Sequence, residues 1–176
     1  MKKGGIQMNI TSAQAAKLLK KLSDDLSAAE DREKKSRTFN AALGEDVESV
    51  RPSYDFSEAQ TALSALEEKI RRLKHAINIF NTTHTVPEFG MTIDEMLVYI
   101  PQLTKRKNKL GEMRAALPKK RVEVWGGNRG VIDYAYANYD PAVVSTEYDK
   151  VTETLSQAQL ALDRVNSTET FAFDED

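Results

Sequence analysis

Two stretches of this chain repeat apolar residues in alternating steps of four and three, which commits them to long helices lying side by side. The first runs through Ala59, Leu63, Leu66, Ile70, Leu73, Ile77 and Phe80, the second through Val144, Tyr148, Val151, Leu155, Ala158, Leu162 and Val165. Such a heptad seam keeps one edge of a helix apolar over its whole length. Each seam side chain is worth about 1.5 to 3 kcal/mol when fully buried. A partner surface must therefore cover every seam. The spacing predicts a helix over 57–82, capped by Asp55 or Ser57 and closed by Asn81-Thr82-Thr83, with Pro87 and Gly90 beyond. It predicts another over 141–166, with Asp140 as N-cap and Pro141 in the first helical position.

Two more helices complete the set. One, over 12–38, offers Ala15, Leu18 or Leu19, Leu22, Leu26 and Ala29 before turning charged at Asp31-Arg32-Glu33-Lys34-Lys35. The other, over 92–117, opens on Thr92-Ile93-Asp94-Glu95, a capping box in which hydroxyl and carboxylate satisfy each other's backbone donors. Its apolar face is Ile93, Met96, Ile100, Leu103, Leu110, Met113 and Leu117. Pro101 removes a backbone bond at a cost of about 3 kcal/mol and predicts a kink or restart near Tyr99. From 122 to 137 the period changes to two around Gly126-Gly127-Asn128-Arg129-Gly130, which reads as a β-hairpin. Its strand 131–137 places Ile132, Tyr134 and Tyr136 on one face, which is expected to be buried. Residues 43–56 read as a loop, 1–8 as a flexible start and 169–176 as an acidic tail. The expected fold is mainly α, a single domain over 1–176 with about four long antiparallel coiled-coil-like helices and one small β-hairpin before the last.

Several short segments carry a resemblance: Ala15-Ala16-Lys17-Leu18-Leu19, the run Ala76 to Thr83, Met91-Thr92-Ile93, and Leu162-Asp163-Arg164-Val165-Asn166. Together they resemble the septicolysin-like family of small bacterial proteins of unknown function. That resemblance implies a helical-hairpin fold in a cytoplasmic protein and brings no catalytic residues with it. The chain departs from the family pattern at Ser167, where an aromatic often follows, and at Pro101.

Charge narrows the partners. Lys plus Arg number 25 against 27 Asp plus Glu, a net charge of -2, so any polyanion site must be local. One segment is locally basic: between Lys105 and Arg121 eight cations face one carboxylate, Glu112. Of these, Lys105, Arg106, Lys109, Lys119, Lys120 and Arg121 are the candidates for following a phosphate backbone. A solvated face, or one paired with the acidic tail or with Asp24, Asp25, Glu67 and Glu68, is the preferred reading. The chain has no cysteine, which excludes thiol chemistry and Cys-ligated zinc. His75 and His84 lack the i, i+4 spacing of a helical zinc pair. No apolar run approaches the roughly 18 residues of a membrane span. Lys2 and Lys3 precede no apolar export segment, so a cytoplasmic location is expected.

These features predict a non-enzymatic structural or interaction protein that forms a helical homo-oligomer. It needs no cofactor, metal, membrane or small-molecule substrate. Trp125, Ile132, Tyr134 and Tyr136 are the candidate subunit interface, because an isolated hairpin is marginal and its outer edges are unpaired. Nucleic-acid binding through 105–121 is the alternative.

Overall fold

The structure, a computed structural model, describes residues 7–122 and 133–174. It is mainly helical, and its chain divides into two compact units, residues 1–84 with 165–176 and residues 85–164. No shift in composition marks this division of what reads as one domain.

In the first unit, strand β1 (Gln7–Thr11) leads directly into helix α1 (Ser12–Ser36). The turn is fixed by a capping box: the Thr11 amide donates to Gln14 Oε1 at 2.9 Å, and the Gln14 amide donates back to the Thr11 hydroxyl at 3.2 Å. Helix α3 (Phe56–Thr83) starts at Asp55, whose carboxylate accepts from the Glu58 amide at 2.8 Å. The two helices pack antiparallel, because Ala29 and Leu63 line one cleft while Ala15 and Leu73 share a buried cluster at the other end. Between them the expected loop contains one helical turn, α2 (Val47–Val50), capped by Asp46. Tyr54 then straps the connection to α1 by donating its hydroxyl to Glu33 at 3.1 Å.

Within the expected acidic tail, residues 170–174 form a strand. β6 (Thr170–Asp174) pairs antiparallel with β1, setting Met8 opposite Phe173 and Ile10 opposite Phe171. These four apolar residues share one face, and Ile10 and Phe173 join Ala15, Leu22 and Leu73 in the buried core. The flexible start is likewise corrected where it is described, since Gln7 and Met8 belong to β1. The signal was present as two short alternations, Met8-Asn9-Ile10 and Phe171-Ala172-Phe173. Neither run is long, and the two lie at opposite ends of the chain.

In the second unit, β2 (Thr85–Val86) and β3 (Met91–Thr92) form a tight hairpin closed by Gly90 at φ +62°, a left-handed conformation that favours glycine. Helix α4 (Ile93–Ala115) follows with the expected box: the Thr92 amide donates to Glu95 at 2.7 Å and the Glu95 amide to the Thr92 hydroxyl at 3.2 Å. It runs through Pro101 without a restart at Tyr99. The proline and Leu97, whose carbonyl loses its donor, both lie on the solvent side, where that carbonyl is open to solvent. Helix α5 (Pro141–Thr168) buries Val144, Val151, Leu155, Ala158 and Leu162 of its seam. Its first part packs on α4: a Cβ added at Gly111 would lie 3.4 Å from the Tyr148 ring, so the glycine leaves room for that ring.

Pairing in the expected hairpin begins earlier than its pattern suggests. The observed strands are β4 (Lys119–Arg121) and β5 (Tyr134–Tyr136), with Lys119 opposite Tyr136 and Arg121 opposite Tyr134. The expected burial of the tyrosine face is overturned, since Tyr134 is 44% and Tyr136 66% exposed. Strands of three residues carrying Lys and Arg have no apolar layer to bury. What steadies the tyrosines is the Lys119 ammonium, 4.1 Å from the Tyr134 ring and 5.4 Å from the Tyr136 ring.

Candidate functional site

Two surfaces of the second unit collect the side chains with binding chemistry. The first is the solvent face of α4. Asp94, Val98, Pro101 and Lys105 follow one another at steps of four, three and four and are all exposed, with Leu97 and Lys109 beside them. Running along this face is an open groove of about 720 Å³ lined by Ile100, Pro101, Thr104, Lys105, Asn108 and Lys109, with Glu112 at its end. The stripe is acidic at its start, apolar in its middle and basic towards its end. At that start, Glu95 is held below the usual carboxyl range by the Thr92 backbone amide and then by the Thr92 hydroxyl.

The second surface is the β4–β5 pair. Residues directly opposite in an antiparallel ladder point to the same side. Lys119, Arg121, Tyr134 and Tyr136 thus share one face, with Lys120 and Ala135 on the other. All six residues are exposed. The pair is tied to the end of α4 by Tyr139, which donates its hydroxyl to the Met113 carbonyl at 2.8 Å.

The structure therefore joins two sets of residues that the sequence kept apart. Tyr134 and Tyr136, read as an oligomer contact, stand among Lys119 and Arg121, read as polyanion ligands. Trp125 and Ile132 lie outside the described residues. Lys105 and Lys109 belong to the α4 groove, away from the strands. Arg106 points elsewhere again, to Glu147 on α5 at 2.5 Å, and Arg114 approaches Asp149 at 3.4 Å while covering the Tyr148 ring. Two cations of the basic segment, Arg106 and Arg114, thus pair with carboxylates of α5. Sequence reasoning missed the α4 stripe, although Leu97 and Val98 fall outside that helix's own apolar seam. His84 stacks on Phe80 at 4.7 Å with Nε2 3.7 Å from Glu169, and His75 is exposed on α3.

Among the described residues, no cluster of His, Asp or Glu has the arrangement of a metal site, and no helix is long and apolar enough to cross a membrane. No family model and no curated protein matches the chain. Its fold is similar to the crystal structure of a functionally unknown conserved protein from Corynebacterium diphtheriae, with a TM-score of 0.58 and 17% sequence identity. The match covers 93% of this chain and 99% of that one.

Proposed function

We propose that this chain works by binding, as a non-enzymatic interaction protein, and that it assembles with a second copy of itself through the solvent face of α4. The observation that carries the reading is the stripe of Asp94, Val98, Pro101 and Lys105, with Val98 57% and neighbouring Leu97 48% exposed. In a two-fold contact the same patch serves both copies. Two α4 helices crossing antiparallel about the point between Val98 and Pro101 set each Val98 against the other copy's Pro101. The same register brings each Asp94 to the other copy's Lys105, so the charges pair twice around an apolar centre. A two-fold contact centred on the β4–β5 face would instead press Lys119 and Arg121 against their own copies, and like charges in that position are unfavourable. For this reason the proposed contact moves from the tyrosines to the helix.

Sedimentation across a micromolar concentration series tests it. The wild-type chain should show a dimer that dissociates on dilution, and Val98→Asp should be monomeric with its helical circular dichroism intact. Asp94→Lys should weaken the dimer, and Lys105→Asp added to it should restore the dimer. A single monomeric mass throughout, or a charge swap that fails to restore assembly, would refute the α4 contact.

A further inference from the structure

We infer that the β4–β5 face is a binding platform for single-stranded polynucleotide. Three observations meet there. Two aromatic rings stand two residues apart on one strand and stay 44% and 66% exposed even with the Lys119 ammonium over them. Two cations, Lys119 and Arg121, occupy the cross-strand positions of the same face, and Lys120 adds a third from the reverse side. The three cations are sequential on β4, whose residues are all exposed.

This combination has a chemical meaning that neither half has alone. A buried tyrosine pair is packing, and a row of lysines on a helix is a solvated surface. Exposed rings interleaved with cations are how proteins hold single strands: each unpaired base offers a flat face to a ring, while its phosphate meets a positive charge. Positions two apart on a strand are about 6.8 Å apart, twice the roughly 3.4 Å base step. The rings therefore seat two bases that have left the continuous stack, and Lys119, close to both rings, supplies the countercharge for the phosphate joining them. A paired duplex hides its base faces and loses the stacking half of the site. Stacking does not read the sugar, so DNA and RNA strands are held alike.

An acidic peptide also answers the charges but not the rings. A second copy presenting the same face does not answer the charges, because it brings the same cations. The inference is independent of the α4 contact, and Val98→Asp should bind the strand as the wild type does.

The test is fluorescence anisotropy of the full chain with labelled oligothymidylate and oligouridylate of about twelve nucleotides. Both should bind at low salt and lose affinity as salt rises, with a log–log slope near -2 for three phosphates at about 0.7 each. Replacing both tyrosines by leucine should weaken binding by about tenfold or more while leaving the slope unchanged. Phenylalanine at both positions should keep most of the affinity, which separates loss of stacking from loss of fold. Arg121→Gln should flatten the slope by about 0.7. Absence of binding at low salt, equal binding of a duplex, or leucine variants that bind like the wild type would each overturn the inference. Displacement by polyglutamate of matched charge as effective as by unlabelled strand would also overturn it and assign the face to an acidic peptide.

Discussion

Replacing Phe173 by alanine deletes a ring that is 5% exposed, stands opposite Met8 on β1 and packs in the cluster with Ile10, Ala15, Leu22 and Leu73. Phe→Ala at a buried site costs about 3 to 5 kcal/mol, because transfer energy and a cavity are lost together. The partly buried neighbour Phe171, stacked on Phe80 at 4.9 Å, cannot fill the space without giving up that contact. Against a total stability of about 5 to 15 kcal/mol, the loss is a large fraction. For a chain of this length it lowers the melting temperature by about 6 to 20 °C. Urea denaturation and thermal circular dichroism read the change. Amide exchange locates it, with protection expected to fall in β1 and in the adjoining turns of α1 and α3. The neighbouring Ala172 lies on the exposed face of the same strand, so Ala172→Ser should change stability by less than about 0.5 kcal/mol. The contrast between adjacent positions is the decisive part, since an unstructured acidic tail would tolerate both changes equally. A Phe173→Ala variant within about 0.5 kcal/mol of the wild type would refute the strand and the core built on it.

Three further outcomes follow from the caps and straps. Thr92→Ala removes the N-cap of α4 and should cost about 1 kcal/mol, measured by urea denaturation. Because Glu95 is held below its ordinary range in the folded chain, its contribution is present above the ordinary carboxyl range and lost as pH falls through the lowered value; Glu95→Gln should flatten that acid limb. Tyr54 behaves in the opposite sense: burial, then the bond to Glu33, raises its phenol, so its contribution is full below the ordinary phenol range and lost as pH rises through the raised value. Tyr54→Phe should be slightly less stable at neutral pH and should lack that alkaline step in a pH series of melts.

How much of this was legible depended on how local each signal was. Helices α3 and α5 follow from their seams because residues three and four apart meet on the same helix, whatever the rest of the chain does. The Thr92 box is equally local, and its two hydrogen bonds close within four residues. Strand β6 is the opposite case: Phe171 and Phe173 acquire a meaning only beside Ile10 and Met8, and nothing in Glu169 to Asp176 alone outweighs its acidic character. The expected burial of the tyrosine face on the β4–β5 pair failed for another reason. Alternation of Ile132, Tyr134 and Tyr136 predicts a buried face, but the partner strand is Lys119-Lys120-Arg121, which has no apolar alternation and stabilises the rings in solvent through its charge. Pro101 shows the same limit, since its interruption is harmless only because it falls on the wet side of α4.

The basic segment illustrates why a charge count along a sequence does not locate a binding site. Its cations divide by the element that carries them. Arg106 and Arg114 reach α5, where exposed ion pairs contribute at most about 1 kcal/mol each but hold the guanidinium groups near Glu147 and Asp149. Lys105 and Lys109 stand on the outer face of α4, where Lys105 forms the basic end of a stripe whose other end is Asp94. Only Lys119, Lys120 and Arg121 stand on a strand, and a strand, unlike a helix, places alternate residues on one face directly opposite those of its partner. That geometry brings Lys119 and Arg121 among Tyr134 and Tyr136, thirteen or more positions away in sequence. A helix extended through Arg121 would have spread the same three charges around its circumference, with no aromatic partner. The end of α4 at Ala115 and the start of β4 at Lys119 therefore decide the chemistry of this surface, by converting the last part of a solvated basic run into a flat face on which charge and ring alternate.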